Sequence, residues 1–183
     1  EAARLIWGKI GLTFDSPPAL VGAVNLGFTH FPSYRLFVIA LTALVLLALW
    51  LFLERSDLGL IIRAGARDPL MVRALGIDLG RIWLLVFGLG SALAGLAGIL
   101  AAPMYGVYAE MGVSMIIQSF VVVVGGGMGS LKGAVVAGLL IGEVVGLTTL
   151  FAPQLAEIVI YLFMAVVLLV RPSGLFGEAG LFE

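Results

Sequence analysis

The chain has 183 residues, of which 62% are hydrophobic and 11% charged, and its mean hydropathy is +1.19. Soluble domains are roughly 45–50% apolar and about 25% charged, so a soluble fold of this size lacks the polar surface to cover itself, and a lipid solvent is expected. Ten Lys+Arg against 11 Asp+Glu leave a net charge of −1, with nothing to attract nucleic acid, and the absence of Cys excludes disulfides and thiolate metal sites.

The leader, Glu1–Arg35, holds Pro17, Pro18, Asn25, Gly27, His30 and Pro32. Such punctuation predicts an irregular segment outside the membrane, with Glu1–Trp7 a candidate tail of an earlier span. Starting at Glu1 without Met, the chain reads as a piece of a longer one. A bilayer core of about 30 Å needs roughly 20 helical residues. Leu36–Leu53 supplies the first span, with Thr42 its one polar side chain, and Ile82–Ala102 the second, with Ser91. A third is expected over Met115–Leu131, where Gly125, Gly126, Gly127 and Gly129 predict a broken helix facing the protein interior. Gly133–Phe151 forms the fourth and Leu155–Val170 the fifth, with Glu157 in its first turn. The runs are continuous, without the alternation of an outer-membrane barrel. The fold class expected is all-α, a polytopic transmembrane bundle of about five spans forming a single transmembrane domain over 1–183.

Between the first two spans lies the long polar segment Glu54–Arg81, which carries Arg55, Arg63, Arg67, Arg73 and Arg81. The positive-inside rule places it in the cytoplasm, together with Lys132 and Arg171 and hence the C-terminus. The basic-free loops Pro103–Ser114 and around Pro153 then fall outside, and Arg4, Lys9 and Arg35 of the leader break the pattern. Within the loop, Ala66–Leu75 reads as a short amphipathic helix. Asp68 and Pro69 mark its start, Leu70, Val72, Leu75 and Ile77 are its apolar points, and Gly76 is its C-terminal cap. Spacing leaves two roles open: an arginine loop on anionic lipid headgroups, or a docking helix for a cytoplasmic partner.

Gly90, Ala94, Gly98 and Ala102 recur every fourth residue in the second span, and Gly138, Gly142 and Gly146 do so in the fourth. In lipid this spacing predicts close helix–helix contact, which is compatible with a backbone wall along a pathway. Glu143, mid-span, costs about 2.5–3.5 kcal/mol to insert and is expected to face the interior, either as a pathway or gating carboxylate or as a structural group. Gln118 is a candidate for hydrogen bonding to a neighbouring helix, and with Glu143, Gly125, Gly126, Gly127 and Gly129 it is a candidate for a pathway or gating role. His30 has no Cys or His companions for a metal site or triad, and Gly125–Lys132 matches no phosphate-binding loop.

The stretch Arg63–Asp78 resembles the cytoplasmic loop of branched-chain amino acid ABC transporter permeases. Three further stretches agree in order and spacing: Phe87–Ala102, Gly125–Gly138 (GGGMGSLKGAVVAG) and Arg171–Gly177 (RPSGLFG). The similarity runs from about Leu36 to Gly177 and corresponds to the C-terminal two-thirds of a family member. It implies an inner-membrane import subunit that hydrolyses nothing itself and needs no cofactor. Its implied partners are cytoplasmic ABC ATPase subunits, a second homologous permease and an external solute-binding protein. The resemblance carries the ATPase-docking role onto Ala66–Leu75, with Arg63, Arg67, Asp68, Pro69, Arg73 and Gly76. The competing readings are an ATP-independent channel or secondary transporter, for which only Glu143 is near a midplane, and a structural anchor.

Overall fold

The structure is a computed structural model that describes residues 22–25, 30–108 and 110–177. The described residues form seven α-helices, one 3-10 turn and one short strand pair, the architecture of an all-α polytopic membrane protein. They divide into two compact units, 1–108 and 109–183.

In the first unit, β1 (Ala23–Asn25) pairs antiparallel with β2 (His30–Pro32), with Val24 opposite Phe31. Ser33 closes the pair by donating through both its backbone N and Oγ to Gly22 O at 2.9 Å. The described end of the leader thus holds a strand pair where the sequence predicts an irregular segment, while residues 1–21, including the candidate span tail, and 26–29 lie outside the described residues.

Helix α1 (Ser33–Arg55) and helix α4 (Leu79–Tyr105) are 23 and 27 residues long, enough to cross a bilayer core of about 30 Å. Both are apolar on all sides, as lipid requires. Each exceeds its sequence-expected span by a few residues; in α4 caps extend it, Asp78 Oδ1 accepting from Gly80 N at 3.0 Å at the start and Gly106, at φ +72°, ending it. Buried Tyr34 ties the two helices, its Oη donating to Leu100 O at 3.0 Å. Between them run α2 (Asp57–Arg67) and α3 (Pro69–Ala74).

The second unit contains α5 (Met111–Gly126), α6 (Leu131–Phe151), a 3-10 turn over Pro153–Leu155, and α7 (Ala156–Val170). Its core is Val121, Ile141 and Ile160, one from each helix, with Val122, Val145, Phe163 and Met164 packed against them. Only α6 has the length of a full span; α5 and α7 are shorter apolar helices of 16 and 15 residues. The third expected span therefore lies earlier than Met115–Leu131 and is not broken midway. Its glycines end the helix, because Gly127 sits at φ +100°, outside the helical region.

Candidate functional site

The polar hairpin between α1 and α4 is built by three caps. Ser56 ends α1 and starts α2, its Oγ accepting from Gly59 N at 3.0 Å. Gly59 is obligatory at this corner, since a Cβ there would lie 2.2 Å from Leu53 O. Asp68 ends α2 and starts α3, its Oδ1 accepting from Leu70 N and Met71 N at 3.0 Å each, with Pro69 in the first turn. Gly76, at φ +80°, closes α3, its N donating to Arg73 O at 2.9 Å.

The start at Asp68-Pro69 and the closing glycine are as the sequence indicates, but the expected single helix over Ala66–Leu75 is two. Ala66 and Arg67 belong to α2, because Asp68 at φ −140° breaks the helical path. Val72 is buried, whereas Leu70 (77%), Met71 (62%) and Leu75 (72%) are exposed, so α3 presents an apolar surface in the middle of a charged segment. Arg67 and Arg73 are exposed beside it. Arg63 is placed elsewhere: its guanidinium lies 3.2 Å from Glu54 Oε2 and donates to Leu53 O, at the end of α1.

The glycine cluster forms a second constellation. Gly125, Gly126 and Gly127 are buried where α5 turns into α6, and Gly129, at φ +85°, completes the turn. Ser130 Oγ caps α6 by accepting from Gly133 N at 3.0 Å. A Cβ on Gly126 would lie 2.5 Å from Gly133 C, and one on Gly133 would lie 2.0 Å from Gly126 O. The segment after α7 closes over this turn. Leu175 N donates to Gly125 O and Phe176 N to Gly126 O, both at 3.0 Å. The RPSGLFG and GGGMGSLKG stretches thus meet backbone to backbone. No periodicity in the sequence announces that pairing; only the density of glycines hints at close approach.

The remaining candidates are open within their own units. Glu143 and Gln118 are exposed, so Glu143 does not point into the core of its own three-helix unit. Gly90, Gly98, Gly142 and Gly146 have open space where a Cβ would stand, and Ala94 is exposed. Among the glycines of the two small-residue stripes, only Gly138 has a neighbour where a Cβ would stand, Val122 Cγ1 at 3.7 Å. Tight packing falls instead on Gly59, Gly65, Gly126 and Gly133. Among the described residues no group of three or more His, Asp or Glu side chains is arranged to hold a metal ion.

A family model described as branched-chain amino acid transport system / permease component matches residues 3–168. The chain is 38% identical over 148 residues to the high-affinity branched-chain amino acid transport system permease protein BraD of Pseudomonas aeruginosa, covering 79% of this chain and 48% of BraD. It is 35% identical over 139 residues to the corresponding permease protein LivH of Escherichia coli, covering 75% and 45%. To the permease protein LivM of Escherichia coli it is 36% identical over 121 residues, covering 63% and 28%. The chain spans about half the length of BraD and LivH. No solved structure matches it.

Proposed function

Because the chain belongs to the family of permease components of branched-chain amino acid transport systems, we propose that it is a membrane-spanning subunit of an ATP-driven importer for branched-chain or related amino acids. It lies in the cell inner membrane with the α2–α3 hairpin and the C-terminus in the cytoplasm, in keeping with the arginines of Glu54–Arg81. A cytoplasmic ABC ATPase supplies ATP turnover, an external binding protein delivers the solute, and a second homologous permease completes the pathway.

The observation that carries the docking assignment is the exposed trio of Leu70 and Met71 on α3 and Leu75 at the C-terminal end of this helix, which is capped at both ends. An apolar surface in a charged, extramembrane hairpin is costly in water and is relieved by a protein groove. Asp68, Pro69 and Gly76 set the helix bounds, and Arg67 and Arg73 rim it with charge. Closure of the ATPase pair pushes on α3, and the push reaches α1 through α2 and α4 through Asp78. Nucleotide then biases two access states by differential contact with this hairpin rather than by local chemistry. Arg63, paired with Glu54, steadies the α1–α2 corner rather than meeting the ATPase.

The intact transporter purified in detergent is expected to retain an ATP-binding-cassette subunit, and the double variant Leu70→Glu, Met71→Glu to lose it while the permease stays folded. Retention by that variant would remove the docking assignment, and a functional transporter that contains no such subunit would remove the proposal altogether.

A further inference from the structure

The last carbonyls of a helix have no partner within it, and a buried helix end needs partners from elsewhere. Helix α5 ends among buried glycines, and the carbonyls of Gly125 and Gly126 find theirs in Leu175 N and Phe176 N, beyond the far end of α7. The segment that brings these amides is itself folded as a turn: Gly174 N donates to Arg171 O at 2.9 Å, and Arg171 Nη1 donates to Leu175 O at 3.2 Å. Its approach is as close as backbone permits. A Cβ on Gly174, at φ +81°, would lie 2.5 Å from Gly127 Cα and 2.8 Å from Val124 O, and one on Gly127 would lie 2.3 Å from Gly177 N.

We propose that Arg171–Gly177 is a releasable strap that fastens the end of α7 to the α5–α6 turn, so that α5, α6 and α7 move as one body while it is closed. Two features make it a strap rather than an extension of the core. It is held by backbone hydrogen bonds and glycine contacts, and of its two large apolar side chains Leu175 is half-buried while Phe176 remains 53% exposed, so the apolar burial that opposes its release is limited. It covers Gly127, at φ +100°, in a turn that Gly129, exposed at φ +85°, completes and that is free to rearrange once uncovered. Release frees two carbonyls and the turn together, so strap and turn open as one local event. The consequence for transport rests on the importer reading above; the strap itself does not.

Amide hydrogen exchange on the intact transporter in nanodiscs tests it. Closed, the Leu175 and Phe176 amides are expected to exchange on the order of thirtyfold more slowly than free chain, the effect of two net hydrogen bonds. Gly174→Ala should abolish most of that protection, because its methyl strikes the backbone of Gly127. Gly129→Ala, in the same backbone region but with open space around it, should keep it. Amino acid uptake per ATP hydrolysed should fall in Gly174→Ala while the ATPase still co-purifies. Free exchange at both amides in the native transporter, or equal loss of protection in the two variants, would overturn the strap. Lost protection with unchanged coupling would show it to be passive and overturn its role as a device. If Gly174→Ala does not assemble, the native protection alone decides. Failure of the ATPase to co-purify with native protein strikes the importer reading and leaves the exchange result standing.

Discussion

Replacing Gly133 by Ala sets two effects of opposite sign against each other. Gly133 lies in the first turn of α6, where Ala is favoured over Gly by about 1 kcal/mol in a water-exposed helix. Against this, its new methyl would stand 2.0 Å from Gly126 O and 3.1 Å from Phe176 Cβ. The first obstacle is backbone and cannot swing aside. Overpacking of this kind costs about 1–3 kcal/mol, and here the upper end applies. Moving Gly126 also loosens the hydrogen bond from Phe176 N, a further loss of about 1 kcal/mol. The sum is a destabilisation of about 3 kcal/mol. Gly142 and Gly146, in the same helix with open space around them, have only the propensity term, so Ala there should stabilise the chain by up to about 1 kcal/mol. Denaturant titration of the protein in mixed micelles, followed by circular dichroism, measures both signs. A Gly133→Ala variant as stable as the parent would refute the close crossing of the α5 end and the α6 start.

Tyr34→Phe removes the hydrogen bond to Leu100 O and should lower stability by about 1 kcal/mol in the same titration. Asp68→Ala removes the acceptor for Leu70 N and Met71 N; α3 should fray by about 1 kcal/mol and ATPase co-purification weaken, with Asp68→Asn restoring most of it. Arg63→Ala breaks an exposed pair with Glu54 and should leave ATPase binding near native, changing stability by less than about 1 kcal/mol. Glu143→Gln should slow uptake in reconstituted vesicles without altering assembly if its carboxylate lines the pathway; undiminished uptake would make it a structural group.

The long helices were legible because nothing but continuous apolar sequence makes them: α1 and α4 need no partner to be recognised, and the caps at Asp78 and Gly106 fix the ends of α4. Asp68, Pro69 and Gly76 were legible for a different reason, since helix starts and stops are chemistry of single residues. Helix α2 was hidden by its charges, although Ser56 before Asp57 is a capping signal in plain view. The glycine run misled because hydropathy is blind to backbone torsion: Gly125 and Gly126 continue a helix and Gly127 ends it, with the same side chain at all three. Spacing identifies a smooth helix face, as at Gly90 and Gly142, but not what lies against it. The meeting of Gly125–Gly127 with Gly174–Gly177 joins distant segments through main-chain atoms, which carry no residue-specific trace in a single sequence.

Ser56 alone separates α1 from α2, and its hydroxyl is already committed to both, donating to Phe52 O and accepting from Gly59 N. A joint of one residue has a single pair of backbone torsions in which to take up slack. Torque applied to α2 therefore turns α1 or is resisted at once; it does not dissipate. Lengthening this joint by a few glycines would leave every helix intact and yet uncouple the motion of α2 from that of α1.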